Sequence, residues 1–249
     1  MIAMKACWNI TSKCNRNCRY CFKFNEKDLS LEENEKILDK LINLGVNEIS
    51  WSGGEPFLYD NFQELLKLSK ERGLLNYVNT NATLLNKINL QDSIKNIDKL
   101  IISLDFIDDT LNEKYGIGIG YYDHIRDILT QINKSNFKIE IQLNTVLFNK
   151  NIIYIDELYN EICKYNIDYW KILRFWPVRG KALKEKNNLS ITDRQFKDFS
   201  HKYKNKKQNF KIRIQNFDEL EERHFIVLSS GEVVYSENGK DIRATKKLI

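Results

Sequence analysis

The stretch Cys14-Asn15-Arg16-Asn17-Cys18-Arg19-Tyr20-Cys21 sets three cysteines at intervals of four and three residues, directly after the run Lys5-Ala6-Cys7-Trp8-Asn9-Ile10-Thr11. That spacing lets three thiolates turn toward one centre, and three thiolates on a cubic [4Fe-4S] cluster leave one iron without a protein ligand. The bland alternatives are buried small residues or part of a zinc knuckle. An all-cysteine zinc site wants a fourth ligand, yet the other cysteines are Cys7 and the distant Cys163, and none of His124, His201 and His224 makes a paired metal signature with the segment. The spacing favours a cluster with one open iron.

The run before the cysteines reads as a strand that delivers the loop, and the chain beyond it repeats the pattern. Ser30 with Glu33 makes a capping box for a helix over Leu31 to Ile42, with Ile37, Leu38, Leu41 and Ile42 on one face and Gly45 at its end. Strands follow at Glu48 to Trp51, Leu75 to Thr80, Leu100 to Phe106, Phe137 to Leu147 and Tyr169 to Trp176. The intervening helices fall at Phe62 to Arg72, within Leu84 to Ile97, around Asp123 to Gln131 and over Tyr154 to Tyr165. Apolar strands alternating with helices argue for right-handed βαβ units and a parallel sheet. Six such repeats are too few for a closed eight-stranded barrel, so the expected α/β fold has an incomplete, curved sheet with further elements closing part of its side. Those elements are a helix from Thr192 and short strands at Lys211 to Ile214, Phe225 to Leu228 and Glu232 to Tyr235, the last two joined as a hairpin through Ser229-Ser230-Gly231.

Composition sets wide bounds. A chain of 249 residues holds one sizeable core. The net charge of +5, from 39 Lys and Arg against 34 Asp and Glu, allows an anionic substrate but is weak for a dedicated nucleic-acid binder, so no nucleic-acid partner is expected. No run approaches the roughly 20 apolar residues of a membrane span, and five cysteines without an export signal fit thiolate ligation in a reducing compartment, so the expected location is cytoplasmic.

Polar residues gather at the strand ends, where ligands bind in such folds. Gly53-Gly54-Glu55-Pro56 follows its strand without a spacer; two glycines permit close approach of a ligand to the backbone, and Glu55 stands near a receptor for an ammonium group, or the segment is a tight βα turn. Ser103 and Asp105 flank Leu104 and are expected on one side of their strand, and Asn144 and Thr145 end the next. Arg174 lies among bulky aromatics, and a buried guanidinium requires either a structural acid or a bound carboxylate or phosphate. Gly116-Ile117-Gly118-Ile119-Gly120 reads as a flexible connection with no helix starting at once after it. The basic cluster Lys202, Lys204, Lys206, Lys207, Lys211 and Arg213 reads as a solvated face.

Cys14-x3-Cys18-x2-Cys21, with Tyr20 before and Phe22 after the last cysteine, resembles the signature of the radical S-adenosylmethionine (radical SAM) superfamily. Gly53-Gly54-Glu55-Pro56, 32 residues after Cys21, resembles that family's methionine-binding turn. The resemblance covers Lys5 to Arg174 and implies a partial (β/α)6 TIM-like barrel over residues 1–180, with a C-terminal helix and short strand extension over 181–249 packed on it. It implies an oxidoreductase or lyase in which Cys14, Cys18 and Cys21 hold a [4Fe-4S] cluster and S-adenosyl-L-methionine chelates the fourth iron. Reductive cleavage then gives a 5'-deoxyadenosyl radical that abstracts a substrate hydrogen. By the same resemblance Tyr20 and the Phe22 backbone contact adenine, Gly53, Gly54 and Glu55 receive the amino group, and Ser103 and Asp105 meet carboxylate or ribose. Asn144 meets the ribose, and Leu173 and Arg174 belong to the sixth-strand end near adenine. Tyr169, Trp170, Phe175 and Trp176 are candidates for the wall of the substrate volume.

The resemblance then divides. No cysteine lies beyond Cys163, so the second cluster of the molybdenum-cofactor enzyme and the cysteine-rich domain of peptide-modifying and sulfatase-activating members are not expected. Ser52 to Leu58, Leu143 to Val146 with Asn149, Tyr169-Trp170-Lys171 and His224 to Tyr235 resemble viperin-like enzymes, which dehydrate cytidine triphosphate; there Lys171, Arg174 and some of Lys23, Lys27 and Lys150 would meet a triphosphate. Phe225, where a tyrosine is expected, and Arg174-Phe175-Trp176 depart from that pattern. The substrate expected is thus a nucleotide, a peptide or a partner protein receiving a glycyl radical, with a reductant such as flavodoxin or ferredoxin. A metal-binding interaction protein without catalysis is the alternative of another class.

Overall fold

The computed structural model describes residues 4–85, 89–135, 137–204, 206, 208–216, 226–237, 240–243 and 248. The expected features at Lys207, His224 and Phe225 lie outside the described residues. The strands are β1 (Met4–Thr11), β2 (Val46–Gly53), β3 (Leu75–Thr80), β4 (Lys99–Ser103), β5 (Glu140–Leu147), β6 (Tyr169–Arg174), β7 (Lys211–Gln215), β8 (Ile226–Val227), β9 (Val233–Glu237) and β10 (Lys240–Arg243). They form one sheet in the order β10-β9-β8-β1-β2-β3-β4-β5-β6-β7, parallel from β8 through β7, with β9 and β10 antiparallel additions. This is the partial TIM-like barrel, with extra strands at both ends of the six-strand core.

The helices cover the outer face. The largest are α1 (Leu31–Asn43), α2 (Phe62–Glu71), α5 (Tyr121–Lys134), α6 (Ile155–Ile162) and α9 (Asp193–Lys204); the shorter α3 (Leu90–Ile94), α4 (Asp109–Lys114), α7 (Gly180–Lys184) and α8 (Lys186–Leu189) sit in the connections. Helix α1 starts where the capping box places it: the Ser30 hydroxyl accepts from Glu33 N (3.2 Å), and Glu33 Oε2 accepts from Ser30 N (2.8 Å). The helix buries Ile37, Leu38 and Leu41 against the sheet. On this side Trp8 stacks on Trp51 with ring centroids 5.0 Å apart, and Trp51 Nε1 donates to Asn76 Oδ1 (2.9 Å), so the indole is buried with its polar atom satisfied.

The inner face is polar. Lys99 on β4 ion-pairs with Glu140 on β5 (2.9 Å), and its ammonium lies 4.4 Å from the Tyr77 ring on β3 and 4.9 Å from the Tyr169 ring on β6. One ammonium reaches rings three strands apart only if the sheet curls tightly around it. The half-buried Cys7 thiol on β1 likewise feels the Lys171 charge from β6; desolvation nevertheless dominates and pushes the thiol up to about 11. Above this charged floor, Ser103, Asn144, Lys171 and Arg213 are successive register partners across β4 to β7.

Two segments differ from expectation. The glycine run 116–120 is an ordered hinge between two helices: α4 ends at Lys114 and α5 begins at Tyr121, directly after Gly120. Gly116, Gly118 and Gly120 all take positive φ, and Asp108, accepting from Leu111 N (2.8 Å), caps α4. Strand β4 ends at Ser103, three residues early, because Asp105 turns inward to accept from Val146 N (2.7 Å) on β5.

Candidate active site

The cysteine loop is seated on the C-terminal ends of β1 and β2 by the turn at Gly53-Gly54-Glu55. Gly54 N donates to Thr11 O (2.7 Å) and Glu55 N to Lys13 O (2.8 Å). A Cβ on Gly53, whose φ is +133°, would stand 2.2 Å from Thr11 O, and one on Gly54 2.0 Å from Lys13 O. The close approach of the protein's own loop requires glycine at both positions. The loop's other flank rests on the glycine hinge: Asn17 N donates to Gly116 O (2.9 Å), Arg19 N to Tyr115 O (3.0 Å) and the Arg16 guanidinium to Ile117 O. From the far end of the chain, Ala182 N of α7 donates to Cys21 O (3.0 Å), and Arg179 Nη1 to Phe22 O (3.0 Å).

Held this way, Cys14, Cys18 and Cys21 are free and half-buried. Burial, the Asp105 charge and the other two cysteines push the Cys18 thiol up to about 12, and burial with Glu55 and Cys21 raises Cys14. Thiols gathered in one neighbourhood, with Cys14 and Cys18 disfavoured as lone thiolates, suit a bound cation that would pull the protons off. Among the described residues no group of three His, Cys, Asp or Glu side chains is drawn close enough to clasp a lone metal ion. The donor chemistry and the shared electrostatics fit an iron–sulfur cluster.

The remaining predicted contacts separate into two sets. Ser103 is exposed at the mouth beside its register partner Asn144, whose Oδ1 accepts from Gln142 Nε2 (2.7 Å), and half-buried Leu173 lies two residues beyond Lys171 on the same face of β6. Glu55, Tyr20, Asp105 and Arg174 are instead turned into the protein. Glu55 is fully buried, accepting from Thr80 Oγ1 (2.6 Å), Asn81 N (2.7 Å) and Phe57 N (3.3 Å); burial raises its pKa against those bonds. Tyr20 is buried with its hydroxyl on Asp105 Oδ2 and its ring tilted on Phe148 at 5.2 Å. Asp105, beyond the end of β4, is buried while Ser103 is exposed, and burial pushes its carboxyl up to about 6. Phe22 is exposed, edge-on to Trp176 at 6.0 Å.

Arg174 points to the helix side, where Nη1 pairs with Asp193 Oδ1 (2.7 Å) and Nη2 donates to Ile191 O (2.8 Å). The structural acid is therefore present and the guanidinium fastens the start of α9. Trp170 is also core, donating from Nε1 to Thr145 Oγ1 (2.9 Å), whereas Tyr169 faces inward beside Lys99. The basic cluster divides as well. Lys202 and Lys206 pair with Asp156 outside, whereas Lys211 and Arg213 lie 5.6 and 4.6 Å from the inward Tyr169 ring.

Sequence reasoning passed over Asn81. Its backbone holds Glu55, and its Nδ2 donates to Asn15 Oδ1 (2.9 Å) beside the Cys14 sulfur at 4.0 Å. The signal was present in the polar run Asn79-Thr80-Asn81 at the end of the third strand. His124, which makes no metal signature with the cysteines, lies with its Nε2 2.9 Å from Ala82 O and secures the same loop.

A cysteine loop on the first strand of a curled parallel sheet, with a glycine turn on the second, defines an enzyme class. The chain belongs to the radical SAM superfamily, whose family model matches residues 8–162. It is 26% identical over 215 residues to the S-adenosylmethionine-dependent nucleotide dehydratase of Lacinutrix mariniflava, an alignment that takes in 79% of this chain and 44% of that one. To the enzyme of the same name in Selenomonas ruminantium it is 32% identical, over 70% of this chain and 66% of the relative. Among solved structures, Streptococcus suis SuiB bound to S-adenosylmethionine shares the fold with a TM-score of 0.73 at 18% identity, over 93% of this chain and 59% of SuiB. The chain thus spans less than half the length of the Lacinutrix relative. No helix among the described residues is long and apolar enough to cross a membrane.

Proposed function

We propose that this chain cleaves S-adenosylmethionine reductively at a [4Fe-4S] cluster held by Cys14, Cys18 and Cys21, and that the substrate is a nucleoside triphosphate lying over the inner face of the sheet. Residues 1–180 form the catalytic core in this reading and 181–249 the extension upon it, in a cytoplasmic enzyme served by a low-potential reductant. When bound, the cluster supplies the electron that splits the sulfonium and yields a 5'-deoxyadenosyl radical. The chain's own residues hold and orient. The Gly53 to Glu55 turn, fixed from below by Thr80 and Asn81, sets the height of the cysteine loop above the sheet. Ser103 and the Asn144 amide offer hydroxyl and N–H to a sugar at the mouth, and the walls of the curled sheet exclude stray hydrogen donors.

The observation that carries the substrate class is the inner row in which Lys171 and Arg213 are register partners, next to Lys211 and beside Ser103 and Asn144. Cations in a partly enclosed trough suit a polyphosphate, and the names of the relatives support the same class. The likeness to SuiB, also solved with a precursor peptide, supports the fold at 18% identity and leaves a peptide as the reading to be separated.

Anaerobic reconstitution is expected to load about four irons per chain and to give 5'-deoxyadenosine under reduction, with both lost in Cys18→Ala. Nucleoside triphosphates are expected to stimulate that formation and to pass deuterium into the product. Cleavage that persists in Cys18→Ala removes the cluster assignment; stimulation by peptides with none by any nucleoside triphosphate removes the substrate class.

A further inference from the structure

The electron that the proposed cleavage consumes has to reach the cysteine loop from outside the chain. We propose that the basic flank of the loop facing away from the inner sheet, centred on a cavity between Arg19, Lys114 and Lys150, docks an acidic low-potential electron-carrier protein. The inference rests on the reading above and adds the surface and partner that it lacks.

The cavity, about 410 Å3, lies where the cysteine loop meets the end of α4, the turn after β5 and helix α8. Arg19, Lys114 and Lys150 line it together with the amides of Asn149, Asn187 and Asn188, and no carboxylate does. Arg19 directly follows Cys18 in the chain, and its backbone is bonded to Tyr115, so a partner seated here touches the loop that bears the thiols. Lys114 and Lys150 are exposed, and neither has a carboxylate at ion-pairing distance among the described residues. Glu185 at its edge is neutralised by Arg19 at 2.7 Å and stands between exposed Lys184 and Lys186. A net charge of only +5 for the whole chain makes this grouping a local feature rather than a general basicity.

Positive potential at a rim of exposed lysines steers a negatively charged protein to the site and orients it there. A small anion would fill the cavity, but it would leave Lys184 and Lys186, outside it, without a role; an acidic protein surface engages both at once. In the transfer, one electron leaves the carrier, which is oxidised. It reduces the sulfonium through the loop's cluster, and the C5'–S bond breaks to give neutral methionine and the 5'-deoxyadenosyl radical.

The test compares the reconstituted holoenzyme with its K114E/K186E variant, which alters the rim and leaves Lys150 in place, using a purified flavodoxin as the carrier. Titration calorimetry is expected to show binding about tenfold weaker in the variant, and a salt dependence between about 50 and about 300 mM that is flatter than in the wild type. Flavodoxin-driven S-adenosylmethionine cleavage is expected to show a KM for flavodoxin raised about tenfold, while dithionite-driven cleavage stays unchanged. K114R/K186R is expected to bind flavodoxin as the wild type does. Equal flavodoxin affinity and KM in wild type and K114E/K186E overturns the docking surface, as does inorganic phosphate occupying the site without displacing flavodoxin. Failure of dithionite to drive cleavage in the wild type overturns the proposed function instead, and the calorimetric comparison still reports on the surface.

Discussion

Gly54→Ala puts the link between the glycine turn and the cysteine loop to a quantitative test. The added Cβ would stand 2.0 Å from Lys13 O, 2.6 Å from Lys13 C and 2.8 Å from Ser12 O, where ordinary contacts begin near 3.4 Å. The neighbour is backbone and has no rotamer to change, so the loop must rise by more than 1 Å. That movement stretches the Gly54 N to Thr11 O and Glu55 N to Lys13 O bonds beyond hydrogen-bonding distance. Overpacking costs about 1–3 kcal/mol and two lost backbone bonds about 1–3 kcal/mol more, a total that a domain of ordinary stability, about 5–15 kcal/mol, survives. The expected result is a folded barrel whose urea midpoint is lowered and whose iron content after anaerobic reconstitution falls well below about four per chain. Gly45→Ala is the control, since its Cβ meets nothing within 4 Å and its cost is the backbone strain of φ +85°, about 1–2 kcal/mol, far from the loop. A Gly54→Ala protein with wild-type stability and full iron loading would refute the reasoning.

Three further outcomes follow from the buried groups. Asp105 has its carboxyl pushed up to about 6 by burial, so the folded state holds its proton in a range where the unfolded chain has lost it. This contribution to stability is present below about pH 4, falls by about 3 kcal/mol as pH rises to about 6, and is flat above; urea titrations should show Asp105→Asn free of that slope, and parallel slopes in the two proteins would exclude Asp105 as its source. Arg174→Ala removes the partner of Ile191 O and the tie to Asp193, with an expected loss of about 1–3 kcal/mol in thermal or urea unfolding and S-adenosylmethionine affinity unchanged in the folded protein; a selective loss of that affinity would return Arg174 to the ligand site. Thr145→Val leaves Trp170 Nε1 without its acceptor and Leu104 O without its donor, for an expected loss of about 2–4 kcal/mol by urea unfolding, and a change within error would show that water replaces both.

The parallel core was legible because its strands and helices carry periods that differ, and β3 falls at Leu75–Thr80, the residues read from the sequence. The cysteine and glycine motifs were legible because their spacing is short. Their physical reason was not: the space left free at Gly53 and Gly54 is filled by Thr11 and Lys13, and no local pattern announces a contact between two loops. The same limit explains Gly116 to Gly120, whose order comes from Asn17 and Arg16, about 100 positions earlier. Alternation assigned Ser103 and Asp105 to one side because it presumes a continuing strand, and the bond from Val146 N ends that strand first. Arg174 presented two readings, a ligand or a structural acid, and Asp193 decided between them only once α9 was in place.

The cysteine loop is gripped by partners drawn from distant parts of the chain: Arg16 by Ile117, 101 positions away, Asn17 by Lys181, 164 away, and Arg19 by Glu185, 166 away. Contacts of that separation form after local ones, since the closure entropy of the intervening chain opposes them until the sheet has assembled. The thiols therefore reach their final arrangement last, when α7 and α8 have returned across the barrel. Metal acquisition becomes a report on the whole fold: a chain truncated before Gly180, or stalled short of its final helices, presents the same three cysteines in the same order without the frame that makes them a site.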